Sequence, residues 1–67
     1  MIYHEIIGCW LQYINDSSSY SERIKWCTEQ FGSSQDVLKI NFTWGYRHGT
    51  IYIQDEKLVT LYILRWV

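Results

Sequence analysis

The sequence has no proline and no alanine, and among its 67 residues it has only two cysteines and four glycines. Disordered chains are rich in proline and poor in aromatic residues, whereas this chain carries four tryptophans, six tyrosines and two phenylalanines. We therefore expect a folded domain. Because alanine is absent, the apolar positions carry large side chains, and a chain near the lower size limit of domains needs such a dense core.

A large excess of positive or negative charge is also lacking. Six basic and seven acidic residues are spread along the chain and give a net charge of −1. Proteins held mainly by nucleic-acid phosphates normally carry a basic patch, so nucleic acid is not the expected main partner. No apolar run reaches the roughly 18 residues that would span a bilayer, and the start lacks the features of a signal peptide. We predict a single domain over residues 1–67, in the cytoplasm and without a membrane partner.

Signatures of metal sites and nucleophiles are missing as well. Cys9, Cys27, His4 and His48 are the residue types of a Cys2His2 zinc site, but the sequence has neither a Cys-x2-Cys nor a His-x3-His pair. A catalytic cysteine would have to be exposed and activated, whereas both cysteines lie in apolar segments. We predict reduced structural thiols, no metal and no cofactor.

The most reactive-looking motif is "YRHG", which consists of Tyr46, Arg47, His48 and Gly49. A histidine base with an arginine that stabilises a phosphorane is the equipment of a metal-free ribonuclease. That chemistry needs a second proton-transfer group, and the sequence offers only Tyr46 or Glu5 for it. We therefore predict that the chain is not an enzyme, and we interpret the motif as a hairpin turn that is solvated or contacts a partner.

The first half of the sequence predicts a strand followed by a helix. "IYHEIIGCWLQYI" is rich in β-branched and aromatic residues, which are typical of strands. Ser19 and Glu22 form a Ser-x-x-Glu capping box, so a helix is expected from Tyr20 to Phe31, ended by Gly32. An apolar stripe that should face the sheet consists of Tyr20, Ile24, Cys27 and Phe31.

The second half begins with a predicted hairpin. "VLKINFTWGY" alternates between apolar and polar residues. A turn at "RHG", in which Gly49 tolerates a positive φ, returns the chain antiparallel through "TIYIQ". Ile51 and Ile53 should then face the core, while Tyr52 faces the other side. On the first strand of this hairpin, the residues that face the core are Leu38, Ile40, Phe42, Trp44 and Tyr46.

The last segment, "LVTLYILRWV", fits two structures. Its β-propensity is high, and "QDEK" could form a hairpin turn, which would make it a further strand and give the order βαβββ. Asp55 is equally a good N-cap with Glu56 in the first turn. Helical spacing places Val59, Tyr62, Ile63 and Trp66 on one face.

Two stretches of the chain, "WCTEQFG" and "IYIQDEKLVTLYILRW", resemble small uncharacterised proteins encoded by tailed bacteriophages. The residues that carry the resemblance are Trp26, Cys27, Phe31 and Gly32, followed by Asp55, Glu56, Lys57, Leu64, Arg65 and Trp66. They cover about half of the chain. The resemblance implies a phage origin and the element order βαββα, and it implies no chemistry.

We take βαββα as the expected α+β fold, with a three-stranded antiparallel-type sheet and both helices on one face. It resembles a ferredoxin-like fold that lacks its last strand. A right-handed crossover leaves a gap between the first two strands, which the third strand fills. The first strand, in residues 2–11, is then an edge with unpaired backbone groups, and bare edges are rare in proteins.

One layer between sheet and helices cannot hold all the large apolar side chains, and clustered exposed ones mark interaction surfaces. Together with the phage resemblance, this predicts a non-enzymatic inhibitor of a host protein, such as an anti-CRISPR factor. Trp26, about 120° from the helix stripe, should be an exposed anchor, and its replacement by alanine should leave folding nearly intact. The candidate partner-binding residues are Trp26, Arg23, Gln30, Tyr52, Arg47, His48, Tyr46 and Trp10.

Two other modes of binding are compatible with the sequence. The N-terminal edge strand could pair with a partner or form a homodimer. The alternative function is a module for single-stranded RNA or a nucleotide ligand, which would stack bases on the open sheet face. Tyr52 and Lys39 would form that platform, together with Trp10 or Tyr3.

Overall fold

The computed structural model describes residues 1–39 and 41–67, which form four strands and two helices. The sheet is antiparallel throughout, in the order β1-β2-β4-β3. The α+β class is confirmed, whereas the predicted number of strands is wrong. The elements are β1 (Ile2–His4), β2 (Cys9–Tyr13), α1 (Ser17–Phe31), β3 (Trp44–Arg47), β4 (Thr50–Ile53) and α2 (Glu56–Trp66).

The additional strand comes from the N-terminal segment, which is a hairpin rather than one long strand. A turn over residues 5–8 divides it: the amide of Gly8 donates to the carbonyl of His4 at 2.8 Å, and Gly8 has a φ of 74°. β2 therefore lies inside the sheet beside β4, and the three-residue β1 forms the edge on that side, while β3 forms the other edge. The edge offered for strand pairing is much shorter than the residues 2–11 that the sequence predicted.

Helix α1 begins earlier than predicted. Its N-cap is Asp16, whose side chain accepts a hydrogen bond from the amide of Ser18, so the Ser19 capping box is not used. Ser19 Oγ accepts a hydrogen bond from Arg23 Nε at 3.0 Å instead. The predicted apolar stripe is confirmed, because Cys27 is buried and the other three members pack against the core.

The C-terminal segment forms helix α2 and not a further strand. Asp55 caps it as expected, with its side chain accepting from the amide of Lys57 at 2.9 Å. Val59 and Tyr62 are buried and Trp66 packs against the core, but Ile63 lies at the rim and is exposed.

The strand predicted over residues 37–46 begins only at Trp44. Residues 32–39 and 41–43, here called the α1–β3 loop, precede it, and the amide of Gln35 donates to the carbonyl of Trp44 at 2.9 Å. Of the predicted core residues in this segment, Phe42 and Trp44 are buried, Leu38 and Tyr46 are exposed, and Ile40 lies outside the described residues.

The predicted β3–β4 hairpin is confirmed. His48 and Gly49 form its two-residue turn, and their φ values of 48° and 78° have the sign that a type I′ turn requires at both positions. Ile51 and Ile53 are fully buried as expected. The core between sheet and helices consists of Ile14, Cys27, Trp44, Ile51, Ile53, Val59 and Tyr62.

Candidate functional site

The register of the strands assigns each side chain to one of two sheet faces. Residues paired across neighbouring strands share a face, and Gln12, Trp10, Trp44 and Tyr46 pair with the buried Ile51 or Ile53. These residues lie on the face that the helices cover. The opposite face, here called the open face, carries Ile2, His4, Cys9, Leu11, Tyr13, Gly45, Arg47, Thr50 and Tyr52.

Arg23, predicted as a partner contact, belongs to a polar network within the domain. Its Nη1 donates to Gln12 Oε1 at 2.8 Å and to the hydroxyl of Tyr62 at 3.0 Å. The same hydroxyl donates to Gln12 Oε1 at 2.7 Å. Burial raises the pKa of Tyr62, and the hydrogen bond from Arg23 offsets part of that rise. Arg23 therefore ties β2, α1 and α2 together from within.

Trp26 is half-buried and packs between the two helices. Its ring makes edge-on contacts with Phe31, Tyr62 and Trp66 at centroid distances of 5.4, 6.4 and 6.2 Å. The prediction that Trp26 stands apart from the core is wrong, and we now expect its truncation to cost stability. The part of its ring that stays accessible lines a cleft of about 270 Å³ with Trp66 and Arg65, whose guanidinium lies 4.1 Å above the Trp66 ring.

Trp10 and Tyr46 also lie on the covered face. Trp10 packs against the core and against Tyr3, with ring centroids 5.0 Å apart. The Tyr46 ring contacts Tyr20 of α1 at 6.1 Å. Neither Trp10 nor Tyr3 is therefore part of the stacking platform that the sequence predicted on the open face. Gln30, the remaining candidate on α1, is exposed.

Two strongly exposed aliphatic side chains lie outside the strands, in a turn and in a loop. Ile6, in the turn between β1 and β2, is 93% exposed, and Leu38 of the α1–β3 loop is 73% exposed. Ile6, Ile7, Val37, Leu38 and Lys39 line a groove of about 330 Å³, here called the tip groove. Gly8, a glycine inside an apparent strand, was the available signal for the turn that exposes Ile6 and Ile7.

The opposite end of the open face brings together three of the predicted candidates. Arg47 is paired with Thr50, which is paired with Tyr13, while Tyr52 lies one step further along β4. His48 follows Arg47 in the turn, and both are exposed. A Cβ placed on Gly49 would lie 3.4 Å from the Tyr13 ring, so this ring lies against the turn. Tyr13, which the sequence analysis did not select, is 65% exposed.

The two cysteines are free, fully buried and on opposite sides of the sheet. Burial raises the pKa of the Cys27 thiol to about 12 and also raises that of Cys9. Both thiols are therefore protonated at neutral pH and unsuited to nucleophilic attack. In the described ranges, no three histidine, cysteine or acidic side chains lie close enough together to hold a metal ion.

Comparison with protein-family models, with curated proteins and with solved structures finds no match to this chain. In the part of the chain that the structure describes, neither helix is long and apolar enough to cross a bilayer.

Proposed function

We propose that this chain is a non-enzymatic binding protein that docks on a host protein through the tip groove and inhibits that protein. The observation that carries the proposal is the position of Ile6 and Leu38. Two aliphatic side chains that are 93% and 73% exposed come together at one groove instead of being scattered over the surface. Single exposed apolar residues are ordinary, whereas a grouped set marks an interaction site.

A protein fits the tip groove better than a membrane surface does. Glu5 precedes the exposed isoleucines and Asp36 precedes Val37, while Lys39 is the one cation among the described residues that line the groove. Anionic lipids attract clusters of lysine and arginine, and this balance of charges offers no such cluster. A groove of about 330 Å³ between two chain segments instead has the dimensions to accept one or two apolar side chains of a partner.

The identity of the partner class follows from the resemblance to phage proteins. A phage product that acts by binding meets host proteins in the host cytoplasm, and inhibition of a defence system is the role we propose, as in anti-CRISPR factors. Cys9 and Cys27 are buried and protonated, and Arg23 is bonded within the domain, so these three residues support the structure. For this reason the proposal includes no catalysis.

Affinity capture with matched variants tests this proposal. The tagged chain, Leu38→Asp and Leu64→Asp are each used to capture proteins from a lysate of the bacterial host, with quantification by mass spectrometry. Leu64 is the control, because it is 79% exposed on the outer side of α2, in the helical layer rather than at the groove. A specific host protein should be retained by the wild type and by Leu64→Asp, and be lost with Leu38→Asp.

The opposite pattern would overturn the proposal. If Leu38→Asp retains the captured protein and Leu64→Asp loses it, the docking surface is the outer side of α2. Circular dichroism must show that both variants are folded, which is expected because each replaced side chain is largely exposed. Ile6→Asp provides a second change in the same groove and should behave like Leu38→Asp.

A further inference from the structure

The end of the open face remote from the tip groove combines aromatic rings and a positive charge. Tyr13 and Tyr52 supply two rings on neighbouring strands, and Arg47 lies on the next strand. Thr50 lies between Tyr13 and Arg47 in the cross-strand row, and His48 continues from Arg47 into the turn. These five residues are here called the basic corner.

The charges of the strands are complementary to an anion. None of the four strands contains an aspartate or a glutamate, and the basic residues that they place on the open face are Arg47 and His4. The acidic residues of the chain lie in the helices, their caps, the α1–β3 loop and the tip turn. Although the net charge of the chain is −1, the sheet surface itself is neutral to positive.

We infer that the basic corner binds a nucleotide, with its base stacked on Tyr13 or Tyr52 and its phosphate paired with the guanidinium of Arg47. Aromatic side chains on an exposed sheet stack unpaired bases, and the arginine fork matches the oxygens of a phosphate. The two rings and the one arginine are enough to contact one or two nucleotides. A free mononucleotide and an unpaired stretch of single-stranded RNA share this chemistry.

This inference is independent of the docking proposal, because Tyr13, Arg47 and His48 of the basic corner lie at the end of the sheet opposite to the tip groove. Tyr13 ends β2 beside the β3–β4 turn, whereas Ile6 and Ile7 lie in the turn before β2 begins. The two sites share no residue and can be tested by separate variants.

Titration of the isotope-labelled full chain followed by amide NMR shifts tests the inference. The probes are adenosine 5′-monophosphate, adenosine, and a hexamer of uridylate RNA, each raised to about 1 mM, where weak single-site binding is detectable. Amide shifts are expected at Tyr13, Arg47, Thr50 and Tyr52. For one phosphate contact on a single strand, the slope of log affinity against log salt should be about −0.7.

Single substitutions distinguish the base-stacking contact from the phosphate contact. Tyr13→Leu should weaken binding of the hexamer by about fivefold or more, since one base–aromatic stack is lost. Arg47→Gln should weaken binding and bring the salt slope close to zero. The matched controls are Tyr3→Leu and Arg65→Gln, which remove an exposed ring and an exposed arginine from other surfaces, and both should bind like the wild type.

Each outcome decides the inference. Binding of both adenosine 5′-monophosphate and the hexamer supports the inference and shows that a free nucleotide is sufficient. Binding of the hexamer alone also supports the inference and identifies single-stranded RNA as the ligand. The inference is overturned if no probe shifts these amides, if adenosine binds as well as its monophosphate, or if the control variants weaken binding as much as Tyr13→Leu and Arg47→Gln.

Discussion

The two faces of the sheet use the same kinds of residues in different ways. On the covered face, the fully buried Trp44, Ile51 and Ile53 pack against Cys27 and Tyr62 of the helices. On the open face, the α1–β3 loop lies over Gly45 at one end, and at the other end Tyr13 is 65% exposed, while Ile2 on the edge strand is 70% exposed.

The difference shows that the surplus of large side chains noted in the sequence is real but lies elsewhere than predicted. Trp26, Arg23 and Trp10, which were expected to face a partner, contribute to the covered side. The exposed aliphatic side chains that line the tip groove belong to the tip turn and to the loop that crosses the open face, while others, such as Leu64, lie on the outer side of α2. The two sites proposed above therefore use residues of the tip turn, the α1–β3 loop and the open face.

Matched isoleucine variants on the two faces should give the largest difference. Ile53→Ala removes a fully buried side chain and should lower the free energy of unfolding by about 2–5 kcal/mol. Ile2→Ala, on the open face, should change it by less than about 0.5 kcal/mol. Urea denaturation measures both values.

A control is needed because the total stability of a domain this small is only about 3–5 kcal/mol, so Ile53→Ala could leave the chain unfolded. Ile53→Val should cost about 1 kcal/mol and stay measurable. Equal losses for the Ile53 and Ile2 variants would mean that the open face is packed as tightly as the covered one.

A glycine substitution tests the contact between the open face and the α1–β3 loop. A Cβ at Gly45 would clash with the backbone carbonyl of Gln35 and with the side chain of Val37. Gly45→Ala should therefore destabilise the fold by about 1–3 kcal/mol, as overpacking does. The double variant Gly45→Ala, Val37→Ala should recover part of that loss, because one of the two clashing groups is smaller.

Urea denaturation of Gly45→Ala, Val37→Ala and the double variant measures the free energy of unfolding of each. If the two single losses simply add in the double variant, a direct contact between Val37 and the strand is contradicted. Because the loop also forms one wall of the tip groove, the single Gly45→Ala variant should in addition weaken capture of the host protein in the experiment with Leu38→Asp.

The pH dependence of stability should be a smaller effect and should come mainly from the covered face. Burial raises the pKa of Cys27 from 9.0 to about 12. Below about pH 9 the thiol is protonated in both the folded and the unfolded chain, so its contribution to stability is complete. Above that pH the unfolded chain loses the proton first, and stability should fall by about 1 kcal/mol per pH unit as the pH approaches 12.

Thermal unfolding between pH 8 and about 10.5 measures this slope. Cys27→Ala should flatten it above about pH 9. Cys9→Ala should remove a smaller share, because the pKa of Cys9 is also raised by burial but less strongly. Tyr62, with a raised pKa of its own, adds to the loss only above about pH 10. An unchanged slope in Cys27→Ala would contradict a buried, neutral thiol.

Local patterns were sufficient to predict the elements whose signals are short in range. The β3–β4 turn followed from Gly49, the cap of α2 from Asp55, and the stripe of α1 from the spacing around Cys27. A backbone angle at Gly49, a hydrogen bond to Asp55 and burial at helical spacing around Cys27 decide these three features, and the residues that supply them are visible in the sequence.

The remaining features could not be predicted because tertiary contacts override local propensity. Ile6 and Ile7 have high β-propensity and hide the tip turn, and the alternation around Leu38 suggests a strand where a loop crosses the sheet. Gly8 and Gly45 were the signals in these two places, since a glycine inside a strand pattern marks a turn or a close approach of backbone. The hydrogen bonds of Arg23 within the domain could not be predicted because its acceptors, Gln12 and Tyr62, are distant in sequence.

The most direct test of the central claim, that docking occurs at the tip groove and not on the helical layer, is an NMR titration with the captured host protein. The account predicts that amide shifts and line broadening concentrate at residues 5–8 and 36–39, while residues 57–64 of α2 stay unchanged. Perturbations confined to the outer surfaces of α1 and α2, with residues 5–8 and 36–39 unaffected, would contradict it.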